Sequence, residues 1–146
     1  MMTRNLKVYC DTNVLIDFLC DSRPYHKTVR SLFYYLYVNR IKPCVSSQSI
    51  IDAQYSMCSL YKCPLQHFRD SIKALFPSIE IVEIKERDLV VANDSTYPDY
   101  EDEAQLACAQ RLGCDLIISS DKGLKRNSRI PVYTPREFVA KITGAN

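Results

Sequence analysis

Apolar and polar residues follow one another along this chain in blocks that predict strands handing over to helices. Leu6-Lys7-Val8-Tyr9-Cys10 is a short β-favouring run. It stops at Asp11-Thr12-Asn13, residue types that cap helices, just before the apolar Val14, Leu15, Phe18 and Leu19. Pro24 punctuates, and Val29, Leu32, Phe33, Leu36 and Tyr37 then recur at helical spacing as far as Arg40. Lys42 to Val45 reads as a second strand, and Ser46 to Ser49 as the start of a helix continuing through Ile50, Ile51, Tyr55 and Met57 to Leu60. Beyond Pro64, the spacing of Phe68, Ile72, Leu75 and Phe76 predicts another amphipathic helix ending at Pro77.

The second half repeats the alternation. Ile79 to Ile84 alternates apolar with acidic residues, as a half-exposed strand does; Glu86 to Ala92 suits a short helix and Asn93 to Pro98 a loop. From Tyr100 to Leu112, Ala104, Leu106, Ala107, Ala109 and Leu112 sit among good helix formers, with Gly113 as the stop. Asp115 to Ser120 is almost continuously apolar, the pattern of a strand covered on both faces, and it ends in Asp121. Ile130 to Thr134 supplies a last strand, and Pro135 opens a final helix through Phe138, Val139 and Ile142. Strands alternating with helices over 146 residues imply one α/β domain, a three-layer α/β/α sandwich with a mostly parallel central sheet. With only three glycines there is no Gly-rich phosphate loop.

Composition narrows the chemistry. Nineteen basic and seventeen acidic residues leave a formal charge of +2, too little for a global field that would select nucleic acid or a membrane surface. That near-balance conceals two opposed segments: Asp94 to Glu103 holds no basic residue, and Lys122 to Arg129 holds no acidic one. Seven cysteines without a C-x-x-C, beside two histidines, do not make a zinc ligand set. Cys10, Cys20, Cys44, Cys58, Cys63, Cys108 and Cys114 fall mostly in apolar runs and read as small buried hydrophobes in a reducing cytoplasm. Met1 to Val8 carries Arg4 and Lys7 but no long apolar run, and no stretch approaches the ~20 apolar residues of a membrane span. A soluble protein is expected.

Two strands end in an aspartate, Asp11 and Asp121, and ligands of open α/β sheets bind beyond the carboxyl ends of the strands. Between them lies the acidic run Asp99-Tyr100-Glu101-Asp102-Glu103. Helix capping accounts equally well for Asp99, Glu101 and Glu103, because a first turn favours negative charge. Asp102 differs in phase: Leu106 and Ala109 follow it on one stripe, so it projects along the buried face. Asp52 has a similar setting between Ile51 and the later Tyr55 and Met57. No Lys or Arg neighbours Asp11, Asp52 or Asp102 in sequence, so carboxylates meeting in one crevice would repel each other unless a cation neutralises them. An all-oxygen donor set favours Mg²⁺ or Mn²⁺ over zinc. Such a site activates water and neutralises charge on a phosphodiester, with one ion or two.

These residues resemble the PIN domain family, metal-dependent ribonucleases that include the toxins of VapBC-type toxin-antitoxin pairs. The resemblance runs from Tyr9 to Val132. It is carried by Asp11-Thr12-Asn13-Val14-Leu15-Ile16-Asp17, by Asp99 to Ala109, and by Cys114-Asp115-Leu116-Ile117-Ile118-Ser119-Ser120-Asp121, whose order and spacing together are specific. It implies that Asp11, Asp102 and Asp121 are catalytic, metal-binding carboxylates, and that Asn13 and Ser119 orient those ligands or bound water. Asp52 stands where the family usually has Glu, one methylene longer, and would complete the set through water or through a closer helix. Asp99 either joins the site or caps its helix. The resemblance further implies an RNA substrate, a small antitoxin that blocks the crevice, a homodimer and no membrane association.

The remaining candidates have plainer readings. Asp17, six residues after Asp11, suits a solvated or salt-bridged surface position; His26 and His67, in polar helix starts, suit exposure rather than catalysis. Tyr34, Tyr35 and Tyr37 suit core or subunit-interface packing. Lys122, Lys125, Arg126 and Arg129, with Arg136 nearby, either hold RNA phosphates beside the metal site or form an ordinary solvated loop. Three other readings compete. A haloacid-dehalogenase-type phosphatase shares the Asp11-Thr12-Asn13-Val14 opening but needs an acid where Asn13 stands; a receiver domain needs a lysine and adjacent acids that are missing. A catalytically silent PIN-like module that only binds RNA or protein is the third.

Overall fold

The computed structural model describes residues 5–144, so Met1 to Arg4 of the N-terminal run lie outside the described residues. The chain runs β1 (Val8–Cys10), α1 (Thr12–Leu19), α2 (His26–Val38), β2 (Cys44–Ser46), α3 (Ser47–Ser59), α4 (Leu65–Leu75), a 3₁₀ turn (Phe76–Ser78), β3 (Glu80–Val82), α5 (Glu86–Asp94), α6 (Tyr100–Arg111), β4 (Leu116–Ile118), α7 (Lys122–Asn127), β5 (Val132–Tyr133) and α8 (Pro135–Thr143). All four strand pairings are parallel, and the order across the five-stranded sheet is β3-β2-β1-β4-β5. Parallel strands need crossovers, and the helices that supply them cover both faces.

Successive residues of each strand point to opposite faces, and the core divides accordingly. Val8 and Cys10 of β1 join Val45, Leu116 and Ile118 under α1, α2, α3, α4 and α8. Tyr9 joins Cys44, Val82, Ile117 and Val132 under α6, where Leu106, Cys108 and Ala109 close the second layer with Leu124 of α7. The helices carry the expected stops and caps. Ser46 accepts from the Ser49 N–H at the start of α3, Thr134 and Glu137 form a capping box on α8, and Gly113 turns the chain after α6 at φ +70. Five of the seven thiols are buried and the other two, Cys58 and Cys63, half-buried, none bonded to another. Among the described residues no helix is long and apolar enough to cross a membrane.

Three expectations are corrected. The segment after Asp121 is a helix and not a loop, since Asp121 accepts from the Leu124 N–H and so caps α7, and Leu124 is buried beneath it. α5 continues to Asp94, shortening the loop before α6. Asp17 is 2% exposed instead of lying on the surface, and its charge is matched inside the fold by the Arg23 guanidinium at 2.5 Å. Arg23 in turn lies 5.9 Å from the Tyr61 ring centre, so this pair pins the end of α1 to the end of α3. His67 is exposed and His26 half-buried, its Nδ1 2.9 Å from the Asp17 carbonyl oxygen. Tyr34 and Tyr37 are exposed, and Tyr35 packs against the core.

Candidate active site

The strand order fixes where a crevice forms. From β1 the chain proceeds through β2 to β3 in one direction, while β4 and β5 extend in the other, so the sheet reverses between β1 and β4. Asp11 follows β1 and Asp121 follows β4 by three residues, one on each side of that reversal. Parallel pairing of Cys10 with Ile118 sets the two strand ends level, and the Asp11 N–H reaches the Ile118 carbonyl oxygen at 3.0 Å.

A depression of about 420 Å³ opens there, lined by Asp11, Thr12, Asn13, Ile16, Asp52, Tyr55, Ser56, Asp99, Glu101, Asp102 and Asp121. The four aspartates singled out from the sequence meet in it, with Asp99 and Glu101 as two further carboxylates, and among the described residues no Lys, Arg or His lines it. A larger groove of about 610 Å³ lies at the far ends of α1 and α3, lined by Phe18, Arg30, Met57, Tyr61 and Leu75 among others. With Asp21 as the sole carboxylate among its described lining residues, that groove lacks the acid cluster, so size is not what distinguishes the acidic crevice.

Each carboxylate is delivered differently. Asp11, 6% exposed, caps α1 by accepting from the Thr12 N–H at 2.7 Å; Ser119 Oγ donates to its Oδ2 at 2.8 Å and Gln105 Nε2 to its Oδ1 at 3.4 Å. Ser119 Oγ also accepts from the Asp121 N–H at 3.0 Å, so one buried hydroxyl ties the two strand-end aspartates together. Tyr9 Oη donates to Gln105 Oε1 at 3.2 Å, extending the network beneath the sheet. Asp99 caps α6, its Oδ1 accepting from the Asp102 N–H at 3.0 Å, and lines the depression as well. Asp52 is half-buried at the rim, one position from the buried Ala53 and not on the stripe of Ser49, Ala53 and Met57. Ile51 and Tyr55 are exposed, so the apolar residues around Asp52 in sequence do not bury it. Its rim is placed by hydroxyls: Thr12 Oγ1 lies 2.6 Å from Ser49 Oγ, which receives a hydrogen bond from Ser46 Oγ at 3.0 Å, joining the first turns of α1 and α3. Asn13 is exposed on the lining.

Asp102 stands apart. It is 8% exposed, and its Oδ2 is a buried oxygen with no hydrogen-bond partner among the described residues. Burial, then the charges of Asp99, Asp11, Asp121 and Glu101, push its carboxyl up to about 7. Burial also raises Asp11, against the pull of Ser119 and Thr12, with Asp121 adding to the rise. Glu101 rises by burial and by the charges of Asp52, Asp11 and Asp99. Such a cluster is short of positive charge, which a hard cation would supply. Among the described residues no three His, Cys, Asp or Glu side chains already surround one point. Ions would therefore be held by one or two carboxylates at a time with water completing the shell, which suits Mg²⁺ or Mn²⁺.

Beside the depression, α7 exposes Lys122, Lys125, Arg126 and, just past its end, Arg129. Lys125 is engaged by Glu137 at 3.0 Å. The sequence offered no reason to single out Gln105, although it lies one turn after Asp102 and on the same face. Nor did it mark Thr12, whose backbone N–H and hydroxyl serve two elements at once.

Known proteins share this arrangement. The sequence model of the PIN domain matches residues 7–123, from just before β1 to the first turn of α7. Ribonuclease VapC1 of Aquifex aeolicus (strain VF5) is 28% identical over 137 residues, 90% of this chain and 92% of that protein. PAE2754 from Pyrobaculum aerophilum superposes with a TM-score of 0.67 over 99% of both chains at 13% identity. VapBC2 from Rickettsia felis, bound to a DNA fragment from its promoter, gives 0.66 at 11% identity over 88% of this chain and 98% of that one. VapC20 of Mycobacterium tuberculosis, a Sarcin-Ricin loop cleaving toxin, gives 0.64 at 10% identity over 82% and 94%. The family match spans the strand-end aspartates and the whole acidic helix that build this crevice, and the chain belongs to the PIN domain family.

Proposed function

We propose that this protein is a metal-dependent endoribonuclease that hydrolyses RNA phosphodiester bonds, and that it is the toxin of a toxin-antitoxin pair. The observation that carries the reading is a crevice of six carboxylates that no basic side chain among the described residues lines, and in which Asp102 keeps a buried oxygen without a partner among them. A structural role would leave that oxygen paired; a cation-binding role requires it free.

Asp11, Asp102 and Asp121 are the residues that would hold Mg²⁺ or Mn²⁺, with Asp52 reaching in from the α3 side. Bound there, the metal supplies an activated water and neutralises charge gathering on the phosphodiester. The chain's own contribution is orientation. Ser119 fixes the Asp11 carboxylate and the Asp121 backbone with one hydroxyl, Gln105 holds the other Asp11 oxygen, and Asp99 anchors the first turn of the helix that carries Asp102. Lys122, Arg126 and Arg129 extend a basic face along α7 for flanking phosphates. Lys125 joins them by exchanging Glu137, an exposed pair that costs little to break.

The likeness to VapBC and FitAB complexes supports a small antitoxin partner, here proposed to cover the crevice, and a homodimeric assembly and a cytoplasmic setting are proposed with it. Incubating the purified protein with total RNA and Mn²⁺ tests the reading, with Asp11→Asn and Asp121→Asn alongside. Cleavage by the wild type alone is expected. Equal cleavage by all three would sink the assignment, and no cleavage by the wild type would favour the silent binding module.

A further inference from the structure

We propose that Tyr97 is a substrate-positioning residue, its hydroxyl donating a hydrogen bond to a non-bridging oxygen of the RNA phosphodiester at the mouth of the crevice. This inference rests on the nuclease reading above and names a residue that reading does not use.

Tyr97 lies in the short loop between α5 and α6, half-buried, two residues before Asp99. Its backbone N–H is fixed by Ser95 Oγ at 3.0 Å. Its ring crosses the first turn of α7 so closely that a Cβ on Gly123 would stand 2.7 Å from the Tyr97 hydroxyl and 3.2 Å from Asp121 Oδ1. Those two oxygens therefore crowd the same face of Gly123. Alanine would be the better helix former at that position, and the seat of the tyrosine accounts for the glycine. The Asn127 side chain stands beside the phenol oxygen, its amide donating to the Gly123 carbonyl oxygen at 2.8 Å. Among the described residues the phenol's own proton is given to no acceptor.

The location gives that proton a use. Nearby are the carboxylates Asp102, Asp121 and Asp99, which reject a phosphate, while the helix α7 on which the ring rests carries the exposed Lys122, Lys125 and Arg126, which attract one. A neutral O–H at this boundary can bind a phosphate oxygen without adding charge to the metal-binding cluster. Asp121 Oδ1 accepts from the Leu124 N–H at 3.0 Å, and among the described residues no hydrogen bond joins it to the Tyr97 hydroxyl.

The test is steady-state cleavage, with Mn²⁺, of a short RNA that the wild type cuts, by wild type and Tyr97→Phe. Phenylalanine keeps the ring on Gly123 and removes only the donor. A fall in kcat/KM of about tenfold is expected, the size of one hydrogen bond to a charged group. Sulfur in place of a non-bridging oxygen at the scissile bond should slow the wild type more than Tyr97→Phe in one of the two diastereomers. A purely structural tyrosine would not produce that difference. Wild-type kcat/KM and unchanged sulfur sensitivity in Tyr97→Phe, with or without a lower melting temperature, overturn the proposal while leaving the nuclease reading intact. An inert wild type overturns the nuclease reading and this proposal with it.

Discussion

Asp88 and Asp102 are buried carboxylates on two helices, α5 and α6, that pack against each other, yet the fold treats them in opposite ways. Asp88, 1% exposed, receives the Arg111 guanidinium through Nε at 3.0 Å and Nη2 at 3.0 Å, and the Lys85 N–H at 2.8 Å. Burial alone would raise its carboxyl, but Arg111 and the Lys85 N–H outweigh burial and hold it below the usual carboxylate range. Asp102 has carboxylates for neighbours and an oxygen with no partner, and rises to about 7. A paired buried charge locks helices together, whereas an unpaired one is tolerated where a ligand completes it. The contrast separates architecture from chemistry within about one helical turn of α6 at each end.

The largest effect should come from the unpaired side. Asp102→Asn is expected to lower RNA cleavage about 10²–10³-fold, the range for losing one group that stabilises charge in the transition state. The metal-free melting temperature should stay level or rise, because a repelling charge has gone. A matching loss of stability would erase the distinction between the two sites.

The converse experiment is Arg111→Met, which strands the Asp88 charge. Urea unfolding should show a loss of about 3–5 kcal/mol, recovered in large part when Asp88→Asn is added. Cleavage measured well below the melting temperature should change little.

Titration without metal should split the two carboxylates by sign. Asp102 has its folded value near 7, above its ordinary 3.8, so the folded state holds a proton that the unfolded state releases between those values. Stability should therefore rise as pH falls from about 8 towards 5. Asp88 is depressed below 3.8, so its contribution is full above that value and is lost as pH falls through the lower, folded one. Melting temperature against pH should thus climb and then drop. Mn²⁺ at about 100 times its dissociation constant should add about 2.7 kcal/mol near pH 8. The gain should shrink as protons compete for the same carboxylates, and in Asp102→Asn. A flat profile would remove the case for an unneutralised cluster.

The smallest change sharpens the boundary between holding and positioning. Ser119→Ala removes the hydroxyl shared by Asp11 and Asp121 and should cost about 10–100-fold in activity or metal affinity, as outer partners of metal ligands do.

Much of the fold was legible because its signals are local. Capping residues at Asp11 and Ser46, Pro135 at the start of the last helix, the apolar run at 115–120 and the stop at Gly113 each act within one turn or one strand, so strand and helix order follow from reading along the chain. The short helix α7 escaped because its only apolar anchor is Leu124, too little to show a period over Lys122–Asn127. Asp17 escaped because its partner Arg23 sits beyond a turn, where nothing in the pattern of α1 announces it.

The sequence by itself determined the inventory: aspartates at two strand ends, an acidic helix start, a basic segment kept apart from it, and no Cys/His set to compete for the metal. The tertiary structure decided which of those carboxylates share a crevice and which of them lack a partner. Strand order places β1 beside β4 and sends their crossovers to opposite faces, so residues 11 and 121 stand together although 110 positions separate them in the chain. It also sets Asp52 at the rim and Asp102 in the interior. Burial and the distance between like charges are properties of packing, and packing alone leaves Asp102 an oxygen for a cation while giving Asp88 an arginine.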